Sequence, residues 1–315
     1  MIHNFLLSIN IILPIVILVF FGIYLKRRNF LDKAFLSSAN RLIFYFGIPS
    51  MLFINIYQSH ITEVFDLEFM IFIFVITLVF IALVWIFAYF WLRNKAPEII
   101  GAFVQGAFRG NITILALPIL ISIIGNDKLA KVVLSMAVLI PLYNIVAVIL
   151  LSIHSSNNIS GKSIVIGIFK NPVMIGTFAG ILVSLFGFTT PVFVRTTLSL
   201  LSQMTTPVAL ICLGAGMTFE GFSNRFKYAL FASLLKTMLM PLIFAVVAYL
   251  WGFRDLDIVM IVVMGAVPTS ISSYVMVVQL DGDQYVGSTN VVLTTVMSGV
   301  TMTFWIFVLM ELGFL

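Results

Sequence analysis

From one end to the other, the sequence repeats a run of about 20 apolar residues closed by a short polar connection, and each run can cross a hydrocarbon core about 30 Å thick. Few folds are open to such a chain. In lipid every backbone polar group needs an internal partner, so runs of this length must be helices. Composition agrees: of 315 residues 62% are hydrophobic and 9% charged, whereas a soluble domain carries about 25% charged residues. The reading is an all-α, multi-pass membrane protein.

Ten spans are expected, near residues 5–25, 38–57, 69–92, 99–124, 129–153, 172–188, 198–218, 228–250, 257–280 and 285–311. The longest polar connection, His154 to Asn171, divides the chain into a first five-helix unit (1–153), a linker (154–171) and a second five-helix unit (172–315). The first run is not a signal peptide. No positive segment precedes it, no small-residue cleavage site follows, and Lys26, Arg27 and Arg28 come after it.

The net charge of +5 reflects topology rather than nucleic-acid affinity, and no nucleic-acid partner is expected. Loops after odd-numbered spans hold Lys26, Arg27, Arg28, Lys33, Arg41, Arg93, Lys95, Lys162, Lys170, Arg225 and Lys227. The opposite side holds only Lys128, Lys131, Arg195 and Arg254. That asymmetry puts both termini outside and the central loop in the cytoplasm, in a plasma (bacterial inner) membrane. Cys212 is alone, so no intrachain disulfide forms, and His3, His60 and His154 are too scattered for a metal site. No cofactor is expected. H-E-x-x-H, G-x-S-x-G and P-loop patterns are absent, and Ser233-Leu234-Leu235-Lys236 matches S-x-x-K with no companion motif. An enzyme is not the expected class.

The two units echo each other. Pro14 and Gly22 recur as Pro172 and Gly180, and Pro49 as Pro207, each at a separation of 158. Gly125-Asn126-Asp127 recurs as Asp281-Gly282-Asp283, 156 residues on. Five is odd, so the second unit inserts upside down, as in secondary transporters built from inverted repeats whose interrupted helices hold substrate at mid-membrane.

Span 4 contains such an interruption. Gln105-Gly106-Ala107-Phe108-Arg109-Gly110-Asn111-Ile112-Thr113 through Pro118 places a guanidinium, amides, a hydroxyl, glycines and a proline inside an apolar run. Shifting Asn111 by 157 residues lands on Pro268, within Gly265-Ala266-Val267-Pro268-Thr269-Ser270-Ile271-Ser272-Ser273-Tyr274 in span 9. Two helices broken at mid-membrane, in spans 4 and 9, are therefore expected to meet.

At these residues the chain resembles the auxin efflux carrier family, in its bacterial branch of malate and malonate permease-like transporters. The resemblance rests on Ala107-Phe108-Arg109-Gly110-Asn111 with Leu117-Pro118, on Leu13-Pro14 through Leu25, and on Pro49 and Asn171-Pro172. Leu213-Gly214-Ala215-Gly216-Met217 and Gly265-Ala266-Val267-Pro268 complete it. The resemblance implies ten spans in two inverted repeats with spans 4 and 9 unwound and crossing. It also implies a scaffold of spans 1, 2, 6 and 7, a mobile bundle of the others, and a homodimer.

All twelve acidic residues lie in loops or near span ends, while Arg109 and Lys236 lie within spans. An interior with cations and no acids favours an anion. Arg109 can pair bidentately with a carboxylate, or instead cap freed carbonyls or snorkel. The candidate substrate-binding residues are Arg109, Asn111, Thr113, Pro118, Asn144, Pro268, Thr269, Ser270 and Ser272. Tyr143, Asn55 and Gln203 are further candidates to line the site. Lys236 reads as a snorkelling or bundle-internal cation. Gly106-x-x-x-Gly110 and Gly176-x-x-x-Gly180 read as close-packing motifs.

The leading expectation is a secondary carrier of a small organic anion, with a carboxylate as the expected class and the lipid bilayer as its surroundings. The alternative is a sodium- or proton-coupled symporter of the bile-acid symporter type, distinguished by ion dependence. A channel subunit or sensor is a third class, distinguished by single-channel currents.

Overall fold

The computed structural model describes residues 14, 17–57, 66–124, 129–155, 170, 172–216 and 222–315. The side chains of a few helical residues, among them Asn55, Thr113 and Pro118, lie outside that description, as does most of the central linker. Apart from short connections, the described residues are helical. Their β-type pairing is a single isolated bridge, between Gly110 and Thr269.

In chain order the helices are α1 (17–27), α2 (Lys33–Leu42), α3 (Ile48–Tyr57), α4 (Leu67–Leu92), α5 (Pro97–Phe108), α6 (Leu117–Ile124) and α7 (Leu129–Ile153). They continue as α8 (Pro172–Leu185), α9 (Val192–Gly216), α10 (Phe222–Leu234), α11 (Met240–Trp251), α12 (Asp255–Ala266), α13 (Ile271–Gln279) and α14 (Gln284–Glu311). Among the described residues, four continuous helical stretches are long and apolar enough to cross a membrane: α4, α9, Arg225–Trp251 and α14. The protein is thus a multi-pass membrane protein.

Helix α4 shows why lipid is the solvent. Asp66 caps its start by accepting the Phe69 N–H, and 26 residues at 1.5 Å each span about 39 Å. Phe69, Ile73, Phe80, Val84, Ala88 and Leu92 form a buried stripe at helical spacing. The opposite face exposes Ile71, Val75, Leu78, Ile86 and Phe90, so the helix is apolar all round, as lipid requires.

Among the described residues, three π-helical turns interrupt the helices: Ile43–Gly47, Ile112–Ala116 and Leu235–Leu239. Each ends two residues before a proline, Pro49, Pro118 and Pro241. Proline lacks an N–H and its ring crowds the carbonyl four residues back. A widened turn relieves that crowding. The freed carbonyl before Pro241 belongs to Thr237, and the Trp305 indole N–H donates to it at 3.0 Å.

Glycines bring helices to backbone contact in one half of the molecule. A Cβ at Gly22 of α1 would meet the Ile211 carbonyl of α9, and one at Gly214 of α9 would meet the Val19 carbonyl of α1. Gly176 of α8 lies against Pro49 of α3, where a methyl on the glycine would come within 2.5 Å of the proline carbonyl oxygen. The other half is tied by charge at both ends. Lys131 of α7 binds Asp66 before α4 (2.7 Å) and Asp257 of α12 (2.8 Å). Arg225 of α10 binds Asp283, the N-cap of α14, at 2.6 Å, and the Asp283 N–H donates to the Glu98 carbonyl of α5.

Candidate functional site

Two interrupted helices meet in the middle of this assembly. Helix α5 stops at Phe108 and α12 stops at Ala266, and helix resumes through the π turn before α6 and at α13. The backbone groups freed between them pair with each other. The Asn111 N–H donates to the Pro268 carbonyl and the Ser270 N–H to the Arg109 carbonyl, both at 2.8 Å. This short antiparallel bridge answers the question of where two open helix ends find partners in lipid. Proline suits position 268 because it supplies the acceptor and needs no donor of its own.

Arg109 leaves the bridge on one side. Its guanidinium donates to Asn144 Oδ1 of α7 (2.5 Å), Ser272 Oγ (3.1 Å) and Met276 Sδ of α13 (2.7 Å). The side chain is 4% exposed, and no carboxylate pairs with it among the described residues. It neither snorkels nor caps a carbonyl: burial excludes the first and its three side-chain partners the second. Asn144 is held in turn, donating to Thr177 Oγ1 of α8 at 3.4 Å.

A cavity opens beside this guanidinium. Arg109, Asn111, Asn144, Ser270 and Ser272 line it together with Tyr143, and Thr205 and Thr206 of α9 face them. Ile48, Leu52, Ile140, Ala209 and Val275 supply apolar walls. The first turn of α13 borders the space. Four N–H groups at a helix start lack intrahelical partners, so its positive dipole end adds to the Arg109 charge. The open space is about 50 Å³, enough for a few waters.

The sequence candidates separate by side. Arg109, Asn111, Asn144, Ser270 and Ser272 gather at the cavity. Pro268 is buried in the bridge behind it. Thr269 turns away: its hydroxyl donates to the Gly106 carbonyl at 2.7 Å and its N–H to Thr294 Oγ1 at 3.0 Å. Thr113 and Pro118 lie on the helical backbone after the break, and their side chains, like that of Asn55, lie outside the described residues. Gln203 does not reach the cavity; it is exposed and donates to Ser199 one turn earlier on its own helix. Thr205 and Thr206 take that place, since position 203 falls on the outer face of α9.

Behind the bridge lies a second polar layer, of which sequence reading found Lys236, as a snorkelling or bundle-internal cation, and missed the rest. Lys236 is 0% exposed and does not snorkel; its ammonium donates to the Gly265 carbonyl at the end of α12. Asn290 of α14 packs against Gly106, 2.7 Å from a methyl placed there. With its amide turned to suit its neighbours, Asn290 donates to Thr269 Oγ1 (2.9 Å) and accepts from Ser233 Oγ (3.1 Å). Ser288, Thr294, Thr295 and Ser298 continue the buried polar face of α14. The α14 part was legible as a hydroxyl-rich stretch in an apolar run, but no charge within that run marked it.

Paired helix breaks around a buried cation that no carboxylate neutralises among the described residues, in a multi-pass membrane protein, point to a membrane transporter. Comparison with known proteins gives the family. The chain belongs to the membrane transport protein family, the auxin efflux carrier-like group, whose pattern it matches over residues 7–306. It is 25% identical over 308 residues to an uncharacterized transporter of Methanothermobacter thermautotrophicus, covering 97% of this chain and 99% of that one. It is 22% identical to the uncharacterized transporter MJ1031 of Methanocaldococcus jannaschii, over 97% of this chain and 100% of that protein. The uncharacterized transporter YfdV of Escherichia coli K12 is 24% identical, over 94% of this chain and 96% of its own.

Proposed function

We propose that this transporter is a secondary carrier that moves a small organic anion, a carboxylate, across the plasma membrane by alternating access. The observation that carries the reading is Arg109: a buried guanidinium in a cavity wall, fixed by neutral partners, with no carboxylate neutralising it among the described residues. A buried unpaired charge is costly, and an anion arriving beside it and beside the α13 helix start removes that cost.

The way the cavity is walled supports alternating access. One wall comes from the π turn before α3, from α3 and from α9; the other comes from the α5 break, α7 and α13. The ion pairs among the described residues join α4, α7, α10, α12 and α14 and involve none of α3, α8 and α9, where glycines bring helices to backbone contact. A charge-tied bundle sliding past a glycine-packed scaffold would open the small cavity to either side. Ten spans in two inverted repeats, 1–153 and 172–315, both termini outside, a cytoplasmic central loop and a homodimer complete the proposal.

Uptake of labelled malate, malonate and aromatic carboxylates into proteoliposomes tests it. Saturable flux with at least one of them is expected, with Asn111→Ala abolishing flux at normal expression and Arg109→Gln raising the half-saturating concentration. Absence of saturable flux with every one of them would count against an organic-anion carrier.

A further inference from the structure

Lys236 remains without a role in that scheme. Its ammonium is fully buried and, among the described residues, has one hydrogen-bond acceptor, the Gly265 carbonyl, although an ammonium carries three donors. Its position is specific. A methyl placed on Gly110 would lie 3.3 Å from Lys236 Nζ, and Gly110 itself lines the cavity. One thickness of backbone, at the residue without a side chain, separates this ammonium from the anion space.

Among the described residues, the surroundings hold no counter-charge. The π turn that carries Lys236 packs against α5, α10, α11, α12 and α14. Glu98 lies in the first turn of α5, Asp255 and Asp257 in the first turn of α12, and Tyr285 and Glu311 at opposite ends of α14. Arg225, Lys227 and Tyr228 sit near the start of α10, and Tyr249 near the end of α11. Arg109 is the adjacent charge, with its guanidinium directed to Asn144, Ser272 and Met276 on the cavity side. The carboxylates nearest in the chain occupy the far ends of these helices.

We propose that Lys236 is the proton-binding site of this carrier, charged when the anion occupies the cavity and neutral when the anion has left. The inference rests on the carrier reading above and adds its coupling ion. A buried ammonium with no counter-charge among the described residues is held there by the carbonyl end of α12. Lysine can escape that cost by giving up a proton, which arginine cannot do. An anion across the Gly110 backbone restores the charge. At about 7 Å with an effective dielectric near 20 the mutual gain is on the order of 10- to 100-fold in affinity, and by linkage the proton tightens the anion equally. Uptake adds one proton from water to the Nζ lone pair, and release returns it to water, with no other bond changed.

The test uses full-length protein in proteoliposomes, with a pH-reporting dye in the lumen and malate and malonate as probes. Wild-type anion influx should acidify the lumen. Lys236→Arg keeps the charge and the carbonyl contact; it should retain anion exchange while proton movement falls by about tenfold or more, because a guanidinium cannot release its proton. Wild-type flux without protons, or equal proton movement in the arginine variant, overturns the proposal. A second measurement needs no anion. The gap in unfolding temperature between wild type and Lys236→Arg should change with pH, and a constant gap overturns the proton site. A pH-dependent gap with neither probe transported supports the proton site while placing the failure in the proposed substrate class.

Discussion

Gly214 and Arg109 illustrate two different ways in which one residue sets the design. At Gly214 the Val19 carbonyl occupies the position a Cβ would take, so α1 and α9 touch because a side chain is missing. Gly214→Ala is expected to cost about 3 kcal/mol, the upper end of overpacking penalties, since backbone must move. Thermal unfolding in detergent checks it, with little change expected at Ser199→Ala on the outer face. Arg109 was legible in sequence as an intramembrane cation. Asn144 and Ser272 were legible as candidates too, but the bond from Arg109 to Ser272 and the contact with Met276 were not, because those partners come from more than 160 residues away and neutral side chains carry no charge signal. His154 makes a third kind of statement. The Trp85 indole N–H donates to its Nε2 at 2.9 Å, which requires an unprotonated nitrogen there. Burial pushes its pKa below the ordinary value, so the unfolded chain takes up the proton first. The stabilisation is complete above pH about 6.5 and declines as pH falls through the lower folded value. Unfolding temperature measured from neutral to acid pH should fall more steeply for wild type than for His154→Gln.

At the scale of elements, the recurring device is a proline two residues after a widened turn. The prolines were visible in the sequence, and so was the need for a break at Asn111 and Pro268. Which prolines would widen the preceding turn was not. Pro141 and Pro207 lie inside α7 and α9 with no π turn, so the choice depends on neighbours that take up the freed carbonyl. Trp305 does this for Thr237. Trp305→Phe keeps most of the packing and strands that carbonyl, which should lower stability by about 1–3 kcal/mol, read from thermal unfolding. Loss of stability no larger than for an exposed Phe307→Leu change would show that water or another donor replaces the indole.

Across the whole molecule, the ion pairs among the described residues fall within one body. Lys131 draws together the starts of α4, α7 and α12, lying also over the Phe69 ring at 4.3 Å, and its hydrogen bond holds Asp66 below the usual carboxylate range. Lys131→Met leaves Asp66 and Asp257 facing each other. The variant should unfold at lower temperature near neutral pH and recover part of the loss in acid, where the carboxylates protonate. Equal destabilisation at both pH values would assign the effect to packing. Membrane class, the all-helical fold and the two helix interruptions followed from the sequence alone, because lipid tolerates polar backbone only where partners exist, and glycine, proline and polar residues mark those places. The tertiary structure alone decided that the interrupted backbones bond to each other, that Arg109 faces the cavity and that Lys236 lies behind it. Hydropathy records depth in the membrane, whereas facing depends on helix rotation and on contacts between residues far apart in the chain.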